Sequence, residues 1–137
     1  MRVGMHDIAQ RFVTALEELH SSKDAGPIAD LFADDATLSK VGVPHEEKGK
    51  DGARTFWQQY REVFDEISSD FSHQVTDEGI AYLEWTSKGT LRDGTSFTYD
   101  GISVLEGAED QINAFRTYYD TAAFLQTDAT RGRLAED

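Results

Sequence analysis

Near Ile67 the apolar residues of this chain change their spacing, and that change constrains the fold more than any other feature. On the N-terminal side, Ile8, Phe12, Val13, Leu16 and Leu19 form the stripe of an amphipathic helix over residues 6–19. Phe56, Trp57, Tyr60, Val63 and Phe64 repeat helical spacing with mostly aromatic side chains, in a further helix for which Asp51 is the expected N-cap. Beyond Ile67 the period falls to two. Phe71, His73 and Val75 are expected on one face of a strand, and residues 80–90, 96–105 and 111–119 read as three longer strands. The turn signals Asp77-Glu78-Gly79, Arg92-Asp93-Gly94 and Gly107-Ala108-Glu109-Asp110 separate them. Sequential antiparallel pairing is the simplest topology for such a meander. Helices first and strands afterwards specify an α+β domain with its helices stacked on one face of a sheet.

Between the two long helices, Pro27 fits the first turn of a short helix over residues 27–32, where its missing N–H is harmless. Ala33-Asp34-Asp35 ends it, residues 36–41 read as a short strand, and residues 42–49 as a loop carrying Pro44, His45 and two glutamates. Residues 121–125 are expected to add a short helix. The polar stretch 126–137 reads as a frayed tail, leaving one domain over residues 1–125. A sheet that curls around its helices leaves a void at its open end, where ligands bind.

Charge and composition narrow the function. Against 13 Lys and Arg stand 26 Asp and Glu, a net charge of −13 that repels nucleic acid and anionic lipid alike. The chain has no cysteine, so disulfides, thiolate metal sites and a cysteine nucleophile are excluded. Its first residues contain no apolar run long enough for a signal peptide or membrane span, and the expected compartment is the cytoplasm. No metal-ligand spacing, phosphate-binding glycine loop or nucleophile elbow is present, so neither a metal nor another cofactor is expected.

Four strings appear in order: Leu31-Phe32-Ala33-Asp34-Asp35-Ala36-Thr37, Gly49-Lys50-Asp51-Gly52-Ala53, Tyr99-Asp100-Gly101-Ile102-Ser103-Val104 and Phe115-Arg116-Thr117-Tyr118-Tyr119-Asp120. In content and spacing they resemble the SnoaL-like branch of the nuclear transport factor 2-like superfamily, over roughly residues 5–120. The resemblance implies a cone-shaped α+β fold, with three N-terminal helices packed on a curved antiparallel sheet, and a homodimer formed through that sheet. It does not fix the chemistry, because one fold hosts many functions. Ketosteroid isomerases, similar around residues 31–37, use a tyrosine and a protonated aspartic acid as an oxyanion hole and another aspartate as base. Phe12, Ser103 and Lys40 stand at the matching places, so that set of groups is missing. Limonene epoxide hydrolases, similar in the last strand, position water with an Arg-x-Asp pair and a further aspartate. The places that match those residues hold Glu84, Thr86 and Thr117.

Under this alignment the aromatic walls of a cavity come from Phe12, Trp57, Tyr99, Phe115 and Tyr119, and Ser103 and Thr117 add hydroxyls. Phe115, Thr117 and Tyr119 share one face because they are two residues apart. The same aromatics would equally serve as plain core. Lys40 and Glu84 are the candidate charged pair, inward-facing neighbours that shift each other's pKa; the alternative, that both lie on solvent faces, is favoured by the rarity of buried charge. His45 is placed at a pocket mouth as a candidate acid or base, against the common case of a solvated loop histidine. His73 is expected to pack in the sheet. Asp100 is expected to face outward, and Asp120 to be either a site acid or a strand-end structural one.

Two functions follow. In one, the chain binds a small apolar or aromatic organic molecule and, where it acts on it, does so by cofactor-free proton transfer, isomerisation, cyclisation or hydrolysis using Glu84, Lys40 or His45. In the other, it is a dimeric interaction module with a filled interior.

Overall fold

The computed structural model describes residues 4–120 and Ala123. Helix α1 (Met5–Ser22) buries the expected stripe, with Ile8, Phe12 and Leu19 at most 2% exposed. It ends where Lys23 takes a left-handed conformation, φ 66°, and returns its N–H to the Leu19 carbonyl. Helix α2 (Gly26–Ala29) is a single turn with Pro27 at its start. It stops short of residue 32 because Phe32 already belongs to strand β1 (Phe32–Lys40). The Ala33-Asp34-Asp35 segment, expected as a helix stop, lies in β1, where the pairing register shifts between Phe32 and Thr37.

The expected loop after β1 contains a short strand, β2 (Glu46–Lys48). Helix α3 (Gly49–Glu62) starts two residues before Asp51, which sits in its first turn; Lys48 is the N-cap and makes no side-chain cap hydrogen bond. Gly49 sets that start. At φ +73° with an added Cβ only 2.8 Å from the Asp34 carbonyl oxygen, it occupies a position that another residue would strain. The aromatic stripe of α3 ends earlier than expected, since Phe64 opens strand β3 (Phe64–Asp77).

Strands β4 (Ile80–Leu91), β5 (Ser96–Ala108) and β6 (Gln111–Tyr119) complete the meander with antiparallel register throughout. The sheet order is β2-β1-β6-β5-β4-β3. One pairing departs from the antiparallel expectation: β1 runs parallel to β6, matching Leu38 with Phe115 and Lys40 with Thr117, so the sheet is mixed. Parallel neighbours need a long crossover, and here α3 and the three intervening long strands supply it. A short-range reading of turns cannot register a pairing made across some 70 residues of chain. The expected helix at residues 121–125 and the tail at 126–137 fall, apart from Ala123, outside the described residues.

The curved sheet and the helices enclose two apolar clusters. One joins α1, α2 and α3 to β1 and the near ends of β4, β5 and β6 through aliphatics such as Leu19, Ile28, Leu38, Leu83, Leu105 and Ile112. The other is built on Phe64, Ile67, Trp85 and Tyr99, with Phe97 and Tyr119 packed against it. Among the described residues no helix is long and apolar enough to cross a membrane.

Candidate functional site

A cavity of about 190 Å³ lies where the two clusters meet. Its walls follow from strand alternation. On β4, Ala81, Leu83, Trp85 and Ser87 point inward; on β6, Phe115 and Thr117 do so. Leu83 is walled by other side chains, whereas Trp85 and Ser87, further along the same face, border open space. Gly101 lets Trp85 lie flat against β5, because a Cβ there would stand 2.3 Å from the indole.

The seven residues named from the sequence as walls all line this cavity. Phe12 comes from α1 and Trp57 from α3. Tyr99 and Ser103 come from β5, and Phe115, Thr117 and Tyr119 from β6. The rings interlock mostly edge to face, with Trp57 at 5.0 Å from Phe115 and 5.7 Å from Phe12, and Tyr99 at 5.1 Å from Trp85. Lys40, at the end of β1, also lines the cavity and holds its Nζ 5.6 Å from the Phe56 ring centroid, within cation–π range. Burial lowers its pKa.

Two expected site residues lie elsewhere. Glu84 sits between inward Leu83 and Trp85 and therefore points to the outer face, where its carboxylate meets His73 Nδ1 at 2.7 Å. Lys40 and Glu84 are thus on opposite sides of the sheet and form no pair. His45 is exposed in the loop before β2 and contacts Glu47 at 3.1 Å, away from the cavity. His73 was expected on the face of Phe71. A bulge between these two residues breaks the alternation, so Phe71 turns inward to the cavity while His73 and Val75 are exposed. Asp100 faces outward, accepting a hydrogen bond from Thr86 Oγ1 at 2.6 Å.

Several wall residues escaped the sequence reading: Phe56, Tyr60, Ser69, Phe71, Trp85 and Ser87. The parity of Trp85 and Ser87 with Leu83 could have found those two. The others needed knowledge of which helix face and which side of the bulge look inward.

The polar groups of the wall are largely paired with one another. Trp85 Nε1–H donates to Ser103 Oγ at 2.9 Å, and the Ser103 and Thr117 hydroxyls share a hydrogen bond of 3.0 Å. Ser69 and Ser87 bond at 2.6 Å, and Ser69 also hydrogen-bonds Tyr60. Tyr60 in turn shares a 2.7 Å bond with His20 Nε2. Burial, then the Arg61 guanidinium, holds the His20 pKa down to about 4, so near neutral pH the imidazole is uncharged and can accept the Tyr60 proton in a hydrogen bond. Arg61 is itself buried and donates to the backbone carbonyls of His20, Phe64 and Asp65. Burial raises the pKa of Tyr60, Tyr99 and Tyr119, which keeps these phenols protonated.

No carboxylate lines the cavity, and Lys40 is its one charged side chain among the described residues. The space suits an apolar body with a few hydrogen bonds, and the group able to move a proton at its edge is the Lys40 amine. Nor, among the described residues, do three or more His, Asp or Glu gather as metal ligands would.

Solved structures share this architecture. An NTF2-like protein from Anabaena variabilis superposes with a TM-score of 0.77 at 16% identity, over 85% of this chain and 90% of that one. A Catenulispora acidiphila protein with a ketosteroid isomerase-like fold, in complex with trimethylamine, gives 0.75 at 15% identity over 85% and 90%. An epoxide hydrolase of M. tuberculosis, similar to limonene epoxide hydrolase, gives 0.68 at 16% over 92% and 94%. No curated protein matches the sequence. The family model for the SnoaL-like domain matches residues 9–115, most of the chain; the chain belongs to the SnoaL-like family, and with helices packed on a curved, unclosed sheet it shares the fold of NTF2-like proteins.

Proposed function

We propose that the chain binds a small, largely apolar organic molecule in the cavity between its two apolar clusters. The observation that carries this reading is the void itself. Interiors normally close-pack, and an opening walled by rings, hydroxyls and a single cation is unusual inside a domain of this size. An apolar cavity of roughly 150 Å³ accommodates benzene, so about 190 Å³ suits one ring with a small substituent. The trimethylamine bound to the Catenulispora acidiphila structure and the hydrolase activity named for the M. tuberculosis one support small molecules as the ligand class.

Where the chain is also a catalyst, its reaction needs no prosthetic group and runs through proton transfer at Lys40, the position that matches the isomerase base. Epoxide hydrolysis of the limonene type has little support, because Glu84 and Thr86 face outward and only Thr117 of the three matching residues borders the cavity. The test is a panel of single-ring metabolites read by melting temperature and by tryptophan fluorescence. The chain's two tryptophans, Trp57 and Trp85, both line the cavity, so a ligand there stabilises the native state and perturbs the emission together. A panel that moves neither signal removes the reading.

A second reading is an interaction module that dimerises through its sheet. Val75, Tyr82, Ile102 and Tyr118 are 40–61% exposed, and the register sets Val75 beside Tyr82 and Ile102 beside Tyr118 on the outer face. Light scattering on the wild type and on Tyr82→Glu decides it: a dimer broken by the substitution supports the module, and a monomeric wild type sinks it.

A further inference from the structure

We infer that the molecule held in the cavity is a monoanion, one ring bearing a single carboxylate or enolate-type oxygen that is received by the Lys40 ammonium. The inference rests on the cavity being a binding site and goes on to name the ligand's charge. It begins from which polar groups of the wall still lack a partner. The Ser69–Ser87, Trp85–Ser103–Thr117 and Tyr60–His20 contacts satisfy one another. Lys40 Nζ has no carboxylate or carbonyl within hydrogen-bonding distance among the described residues, only the face of Phe56. The ammonium can only donate. A cavity whose one charged group among the described residues is a cationic donor without an anionic partner is complementary to an acceptor and repels an amine.

Size and charge narrow the acceptor further. One ammonium neutralises one negative charge; a dianion such as a phosphate monoester would leave its second charge uncompensated among aromatic rings. The chain's net −13 opposes highly charged anions at longer range as well. A ring with one ionised oxygen meets both limits and fits about 190 Å³.

Benzoate, benzamide and benzamidine test this directly, because they have nearly one shape and carry charges of −1, 0 and +1. Binding is read by Trp57 and Trp85 fluorescence and by melting temperature near neutral pH. The expected order is benzoate about tenfold tighter than benzamide, the size of one charge-assisted hydrogen bond, with benzamidine not bound. In Lys40→Met the advantage of benzoate disappears while benzamide stays within about threefold of its wild-type affinity. Equal binding of benzoate and benzamide by the wild type, a preference for benzamidine, or a benzoate preference that survives in Lys40→Met overturns the anion inference and leaves the cavity reading standing. Failure of all three to bind overturns both.

Discussion

The inner face of the sheet has two ends built from the same strands, and they solve the packing problem differently. Toward α1 and α2 the inward positions are aliphatic: Ala81 and Leu83 on β4, Leu105 on β5 and Ile112 on β6, all 0% exposed. Toward the open end the same strands present Ser87, Ser103 and Thr117 with aromatic rings beyond them. Branched aliphatics interdigitate and exclude space. Short hydroxyl side chains facing rigid rings cannot, because the rings already meet edge to face and the hydroxyls stop short of them. The void is therefore written into the choice of small polar residues at three inward positions; the alternation runs unbroken along β4, and on β6 a register shift between Ile112 and Ala114 keeps both Ile112 and Phe115 inward.

The sharpest way to break this contrast is to truncate one side chain at each end of β4. Leu83→Ala should lose about 3 kcal/mol of stability, since its neighbours are fully buried and cannot close around the new hole. Ser87→Ala should lose only about 1 kcal/mol, the worth of its bond to Ser69. Urea denaturation of both variants measures the difference. Equal losses would mean that the open end is as tightly packed as the closed one.

Where the two ends meet, His20 allows a test by pH. Its folded pKa is about 4 against an ordinary 6.5, so between these values the unfolded chain binds a proton that the folded chain does not. Stability is then full above about pH 6.5 and is lost as pH falls toward 4, by about 2 kcal/mol between pH 7 and pH 5. The His20→Gln variant, whose amide still reaches Tyr60, should lose that slope. A wild type whose stability is flat over the same range would show that the His20 ring is wetter than its 9% exposure implies.

What the sequence conveyed divides along the same line. Periodicity is a local property, so the α1 stripe, the change near Ile67 and the β4, β5 and β6 segments were legible, with ends displaced by a few residues. The walls contributed by β6 followed from one parity, that of Phe115, Thr117 and Tyr119. Pairing across the chain was not legible: nothing near Lys40 or Thr117 announces that β1 lies parallel to β6. The bulge between Phe71 and His73 was equally hidden, since one extra residue reverses every later side chain and leaves no mark in a pattern of mixed polarity. Glu84 is a different case. Leu83 and Trp85 are the apolar members of that stretch, so alternation sends Glu84 outward, the alternative that the rarity of buried charge already favoured over the inward place the alignment gave it.

Glu84 therefore supplies the smallest expected effect. Its carboxylate meets His73 on the outer face, with both side chains more than half exposed. Such a pair contributes at most about 0.5 kcal/mol, because water and salt screen it and both side chains lose rotamer freedom in forming it. Glu84→Gln should leave stability within that margin and leave ring binding in the cavity unchanged, since the strand and the indole of Trp85 lie between the carboxylate and the void. Titrating the variant with the same single-ring probes checks it. A tenfold loss of affinity would mean that the outer face communicates with the cavity through the β4 backbone, and the two faces of the sheet could no longer be treated as independent surfaces.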